Sequence, residues 1–132
     1  MKELPIGISD FKTLRENNYF YIDKSLFIEN IAKSVGKTLL FTRPRRFGKT
    51  MSMSMLRYFF DIKNADDNKK LFHGLNIEKT AAWNEQGKYP VIFISFKDLK
   101  IESWEECFET IGYLITNLYN NHKEIIEKLD EV

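Results

Sequence analysis

One cysteine, Cys107, stands in the whole sequence. That excludes an internal disulfide and a multi-cysteine metal site, and it fits a reducing cytoplasm. Only two histidines occur, His73 and His122, far apart and with no cysteine or carboxylate at ligand spacing, so the sequence offers no metal cluster. No apolar run reaches the roughly 20 residues that a membrane-spanning helix needs. The opening segment MKELPIGISDF lacks the apolar stretch of a secretory leader, so a cytoplasmic protein with no membrane partner is expected. An excess of one charge is also missing: 20 Lys+Arg oppose 19 Asp+Glu. Nothing global therefore draws the chain to nucleic acid or lipid. Repeats, low-complexity tracts and Pro/Gly/Ser linkers are absent as well. What is present is bulk: 11 Phe and 6 Tyr in 132 residues supply the material for one real core.

The chain alternates helical and apolar-run patterns. Ser9 is placed to cap a short helix carrying Phe11 and Leu14, ended by Asn17-Asn18. Asp23 is the expected cap of a second helix, with Leu26, Phe27, Ile28, Ile31 and Val35 at helical spacing and Gly36 as its stop. Thr38-Leu39-Leu40-Phe41-Thr42 is a short consecutive apolar run, which reads as a strand buried on both faces. A helix is expected over 51–62, with Met51, Met55, Phe59 and Ile62 on one face. Asp66-Asp67 suits a helix start and Gly74 a stop. Pro90 to Phe96 reads as a second buried strand. Ser103 and Glu106 form a capping box for a helix with Trp104, Cys107, Phe108, Ile111, Leu114, Ile115 and Leu118 on one face, and a short helix is expected over 123–129. Strand, loop, helix, strand, helix predicts an α/β fold with parallel strands. Two strands do not make a stable sheet, so the chain is expected to be a fragment or to borrow strands from a partner.

Chemistry concentrates in Arg43-Pro44-Arg45-Arg46-Phe47-Gly48-Lys49-Thr50. A Walker A loop reads G-x-x-x-x-G-K-[ST]; the last three residues match, and Arg43 stands at the first glycine. Each position has a physical task. Gly48 lets the backbone approach phosphates without a Cβ. Amides from Arg45 and Arg46 through Phe47 to Met51 can line an anion cradle, helped by the following helix N-terminus. Lys49 can reach the β- and γ-phosphates, and Thr50 can offer its hydroxyl to Mg²⁺. Lys49 is the candidate catalytic residue. Arg45, Arg46, Phe47, Gly48, Lys49, Thr50 and Met51 are the candidate nucleotide-binding residues, and Thr50 is the candidate metal ligand.

This loop, with the upstream Phe20-Tyr21-Ile22-Asp23-Lys24-Ser25 and the later Leu71-Phe72-His73-Gly74-Leu75, resembles the AAA-ATPase-like family of bacteria and archaea. The family opens on a segment like Pro5 to Phe11 and carries its own Walker A variant, so Arg43 in place of glycine is expected. The resemblance implies a partial P-loop NTPase-like three-layer fold. Its regions are an N-terminal helical segment (1–37), then strand, phosphate loop and helix (38–62), then the second strand and helices (63–132). It implies ATP and Mg²⁺ as cofactors, a switch or motor ATPase in a larger protein, and Tyr21 or Ile22 near the base. It also implies a following PD-(D/E)XK nuclease-like domain as a route to nucleic acid. An acidic Walker B strand belongs after the second helix. Asp130-Glu131 follows Lys128-Leu129 in a polar helix and does not supply it. The chain is therefore expected to end before Walker B.

Two other readings stay open. Arg43, Arg45, Arg46 and Lys49 could contact nucleic-acid phosphates, or the loop could be a degenerate one with a structural or partner-binding role. Lys97 and Asp98, past the second expected strand, are candidates to face the site. Oligomerisation stays open.

Overall fold

A computed structural model describes residues 2–36, 38–42, 44, 46–96 and 103–130. These residues divide into two compact units, Met1–Val91 and Ile92–Val132. In the first, α1 (Phe11–Glu16), α2 (Leu26–Ala32), α3 (Lys49–Phe60) and α4 (Ala65–Lys70) are followed by two 3₁₀ turns, Asn76–Lys79 and Ala81–Glu85. The second holds α5 (Trp104–Asn121) and α6 (Lys123–Asp130). Among the described residues no helix is long and apolar enough to cross a membrane.

The expected parallel sheet is overturned. Among the described residues there is no strand; the only pairing of this kind is one isolated parallel bridge between Asp61 and Tyr89. The described fold is helical, so neither an α/β architecture nor a three-layer fold stands. Residues 38–42 and 91–96 are neither helix nor strand, and Leu40 (84% exposed) and Ile92 (63% exposed) are far from buried. A run of consecutive apolar residues reports that burial would be favourable. It becomes a strand only where neighbouring backbone forms a ladder along its edges.

The first unit is built around stacked aromatic rings. Phe11, Phe59 and Phe72 are completely buried. Phe72 meets Phe11 at 5.0 Å and Phe59 edge-on at 5.2 Å. Such pairs add roughly 0.5–1.5 kcal/mol each beyond area burial. Ile28 from α2, Met55 from α3, and Leu71, Leu75, Ile77 and Ala82 close the cluster. Within the 71–75 block, Leu71, Phe72 and Leu75 are core, whereas His73 and Gly74 are exposed.

Among the described residues no buried side-chain nitrogen or oxygen lacks a hydrogen-bond partner. The Ser54 hydroxyl accepts from the Phe11 amide at 3.0 Å and donates to Asp10 Oδ1 at 2.8 Å. Asp10 Oδ2 in turn accepts from the Thr13 amide at 2.9 Å, so Asp10, not Ser9, caps α1. One carboxylate thus starts α1 and fastens it to α3. Ser25, also buried, accepts from the Ile77 amide at 3.1 Å and ties α2 to the first 3₁₀ turn. Helix α2 ends at Ala32 rather than running to Gly36; Val35, fully exposed, has no core to pack on.

The far end of α3 is held by the chain that returns beside it. Gly87 donates to the Phe59 carbonyl at 2.8 Å, Tyr89 to that of Phe60 at 2.9 Å, and Ile62 to that of Tyr89 at 2.8 Å. Gly87 has φ +68°, and a Cβ there would lie 2.5 Å from Ala65 Cβ. Only glycine suits this close crossing.

In the second unit the Ser103 side chain accepts from the Glu106 amide at 3.2 Å, giving α5 its expected start. Cys107, Ile111, Leu114 and Leu118 make its half-buried stripe, and no α5 residue is fully buried.

Candidate functional site

Helix α3 opens at Lys49, within the Gly48-Lys49-Thr50 sequence. Gly48 precedes it in the left-handed region (φ +73°, ψ +21°), with Arg46 also at positive φ (+68°). A Cβ at Gly48 would meet nothing within 4 Å, so glycine is needed here for the backbone angle alone. The Gly48 carbonyl accepts from the Ser52 amide at 2.9 Å, which begins the helical ladder at Lys49. That start is two residues earlier than the expected Met51. No side chain caps it. The first-turn amides sit at the positive pole of a 12-residue helix.

Arg46, Phe47, Gly48, Lys49 and Thr50 are exposed, whereas Met51 is half-buried and packs against the core. Arg43, Arg45, Lys97, Asp98 and Glu131 lie outside the described residues. Of the seven candidate nucleotide-binding residues, the structure thus places six, Arg46 to Met51, consecutively around one helix start.

Two cavities flank that start. One, of about 270 Å³, is lined by Gly48, Met51 and Met55 of the loop and α3, and by Phe20, Tyr21 and Ile22 of the preceding segment. It brings Tyr21 and Ile22 beside Gly48. Tyr21 is fixed there: its ring meets Phe11 edge-on at 5.6 Å, and its hydroxyl accepts from the Lys24 amide at 3.3 Å while reaching Met55 Sδ at 3.4 Å. Burial pushes its phenol above the usual value.

The second cavity, of about 470 Å³, is lined by Phe27, Phe41 and Phe47 with Lys24, Lys49 and Ser52. Phe27 and Phe41 meet edge-on at 5.0 Å. Lys24 and Ser52 line both cavities. Neither they nor Phe27 and Phe41 are candidate site residues from the sequence, where Phe27 reads as a helix-face position and Phe41 as part of a buried run. Lys24 belongs to the Tyr21–Lys24 block, but nothing in its spacing announces which side of α3 it faces.

Asp23 is not an N-cap; the cap position of α2 is Ser25. Instead, Asp23 accepts from the Ser25 amide at 2.8 Å and from the Asn76 amide at 2.8 Å, holding the Tyr21–Lys24 segment in place. Burial pushes its carboxyl up, but the hydrogen bonds from Ser25 and Asn76 and the charge of Arg15 outweigh that and leave it below the ordinary carboxylate value.

The arrangement suits an oxyanion: helix-start amides, an ammonium group from Lys49 and a hydroxyl from Thr50. For a metal it supplies less. No group of three or more His, Cys, Asp or Glu among the described residues could hold one. His73 is instead bound to Glu78, with Nδ1 2.9 Å from Oε1, and Glu78 also accepts from the Gly74 amide at 2.8 Å. No carboxylate was expected beside His73; the Gly74 turn, at φ +78°, brings Glu78 within reach.

A family model described as "Predicted AAA-ATPase" (AAA-ATPase-like) matches residues 5–131. An uncharacterized protein in the vnfD 5′ region of Azotobacter chroococcum mcd 1 is 34% identical over 116 residues, covering 87% of this chain. The chain spans 21% of that relative's length. No solved structure matches.

Proposed function

Since the chain belongs to the AAA-ATPase-like family, we propose that it binds the phosphates of ATP, with Mg²⁺, at the start of α3. The observation that carries this reading is Gly48 in the left-handed conformation directly ahead of Lys49 and Thr50, which open a helix of 12 residues with no side-chain cap. A polyphosphate there accepts from the first-turn amides and meets the positive end of the helix dipole. Lys49 neutralises the outer phosphates as a point charge. Thr50 would hold Mg²⁺ through its hydroxyl, and the ion would supply charge neutralisation there. Arg46 stands at the edge of the same turn and adds charge. This reading rests on the helix start and does not call on a sheet.

Hydrolysis needs more than these residues: an acidic group to orient water and metal. We assign the chain nucleotide binding, and ATP turnover by a switch or motor to the longer protein of which it is expected to be part. A nuclease-like domain in that protein would be its route to nucleic acid.

Thermal unfolding with and without ATP and MgCl₂ tests the reading. ATP at 100 times its Kd stabilises a single-site protein by about 2.7 kcal/mol. Lys49→Ala is expected to abolish the upward shift in Tm and Arg46→Ala only to weaken it. An equal ATP-dependent shift in wild type and Lys49→Ala would overturn the assignment. Binding to single-stranded DNA that falls steeply with salt and depends on Arg46 as much as on Lys49 would favour the nucleic-acid reading instead.

A further inference from the structure

The larger cavity beside α3 has a composition that the phosphate reading does not use. Three phenylalanines line it from separate places: Phe27 on α2, Phe41 in the extended run, and Phe47 in the loop. Phe27 and Phe41 already present an edge-to-face pair at 5.0 Å. Phe47 is 61% exposed and sits one residue before Gly48. The described polar side chains at the cavity are two lysines and a serine, Lys24, Lys49 and Ser52. Lys49 thus belongs to the phosphate site and to the cavity wall at once.

A planar aromatic group joined to a polyanion matches this pairing of rings with ammonium groups. Stacking on phenylalanine stabilises any base through its π-face and does not read its edge. Discrimination between bases requires hydrogen-bonding groups aimed at that edge. The lysines carry only donors and Ser52 a single hydroxyl, so the described side chains lack the paired donor and acceptor of an amide. The volume, about 470 Å³, falls in the range of small-molecule sites.

Building on the phosphate assignment above, we propose that the cavity between Phe27, Phe41 and Phe47 holds the base of the bound nucleotide by stacking, and that the site accepts nucleoside triphosphates with little regard to which base they carry. The base then lies on the Lys49 side of α3, away from Tyr21 and Ile22.

Competition against a fluorescent ATP analogue, using the whole chain, tests this. ATP, GTP, CTP and UTP are expected to displace the probe with affinities within about tenfold of one another. Inorganic triphosphate, lacking a ring, is expected to bind more weakly by on the order of 10- to 100-fold. Phe47→Ala, at an exposed position, and Phe41→Leu, which keeps apolar volume and loses the ring, should both bring the nucleotides toward triphosphate and leave triphosphate unchanged. Tyr21→Phe should change neither. Triphosphate binding as tightly as ATP in a Lys49-dependent manner would overturn the stacking proposal while leaving the phosphate site intact. Selection of ATP over GTP by more than about 30-fold, or nucleotide loss in Tyr21→Phe with none in Phe47→Ala, would also overturn it. Failure of every nucleotide and of triphosphate to bind would remove both readings.

Discussion

Helices α3 and α5 carry the same kind of apolar stripe and meet different fates. In α3, Met55 and Phe59 are sealed, and Ser54 and Asp10 bolt the helix to α1. In α5, Trp104 (72% exposed) and Phe108 (67% exposed) face outward, and the stripe from Cys107 to Leu118 is only half covered. Periodicity tells which side of a helix would prefer to be dry. It does not tell whether the chain supplies the partners that dry it, because those come from distant residues such as Phe72 and Ile77.

The sharpest way to break this contrast is to hollow out α3. Phe59→Ala should cost about 3–5 kcal/mol by lost burial and an unfilled cavity, read as a fall in the denaturant midpoint. Next comes Gly87→Ala, which combines positive-φ strain with a Cβ 2.5 Å from Ala65; a loss of roughly 2–3 kcal/mol is expected. Asp10→Ala removes a cap and the tie to Ser54, for about 1–2 kcal/mol at neutral pH. Burial pushes the Asp10 carboxyl up, but hydrogen bonds from Thr13, Ser54 and Tyr58 prevail and hold it below the ordinary value. Its charged form is therefore favoured on folding. The stabilisation is complete above the unfolded value of about 3.9 and fades as pH falls through the lower folded one. The gap between wild type and Asp10→Ala in chemical unfolding should narrow below about pH 4. Smallest of all, Phe108→Ala in α5 should stay within about 0.5 kcal/mol. A loss there as large as that at Phe59 would dissolve the comparison.

The same contrast explains what could be read in advance. Met55 and Phe59 were legible because their spacing matches a helix, and the order Gly48-Lys49-Thr50 located the start of α3 to within two residues. Ser103 was legible because a cap and the amide that donates to it lie three residues apart. Ser54 was not: a serine on an apolar face gives no local sign that it will bridge Asp10 and the Phe11 amide, 43 residues away. Leu39 to Phe41 and Ile92 to Phe96 misled because an apolar run specifies a wish for burial and leaves the neighbours unstated. The flanking cavities were invisible for a related reason: Lys24, Phe27, Phe41 and Ser52 converge only once α2 and α3 are placed.

The way α3 is closed at its rear bears on its front. Its terminal carbonyls, at Phe59 and Phe60, are occupied by amides of Gly87 and Tyr89, so the negative pole is muted by the protein's own dipoles. At the opposite pole no side chain caps the helix. Electrostatically the helix is lopsided, nearer to a single positive source than to a balanced bar magnet. An anion arriving at Lys49 therefore meets less opposing field than the length of the helix alone would imply.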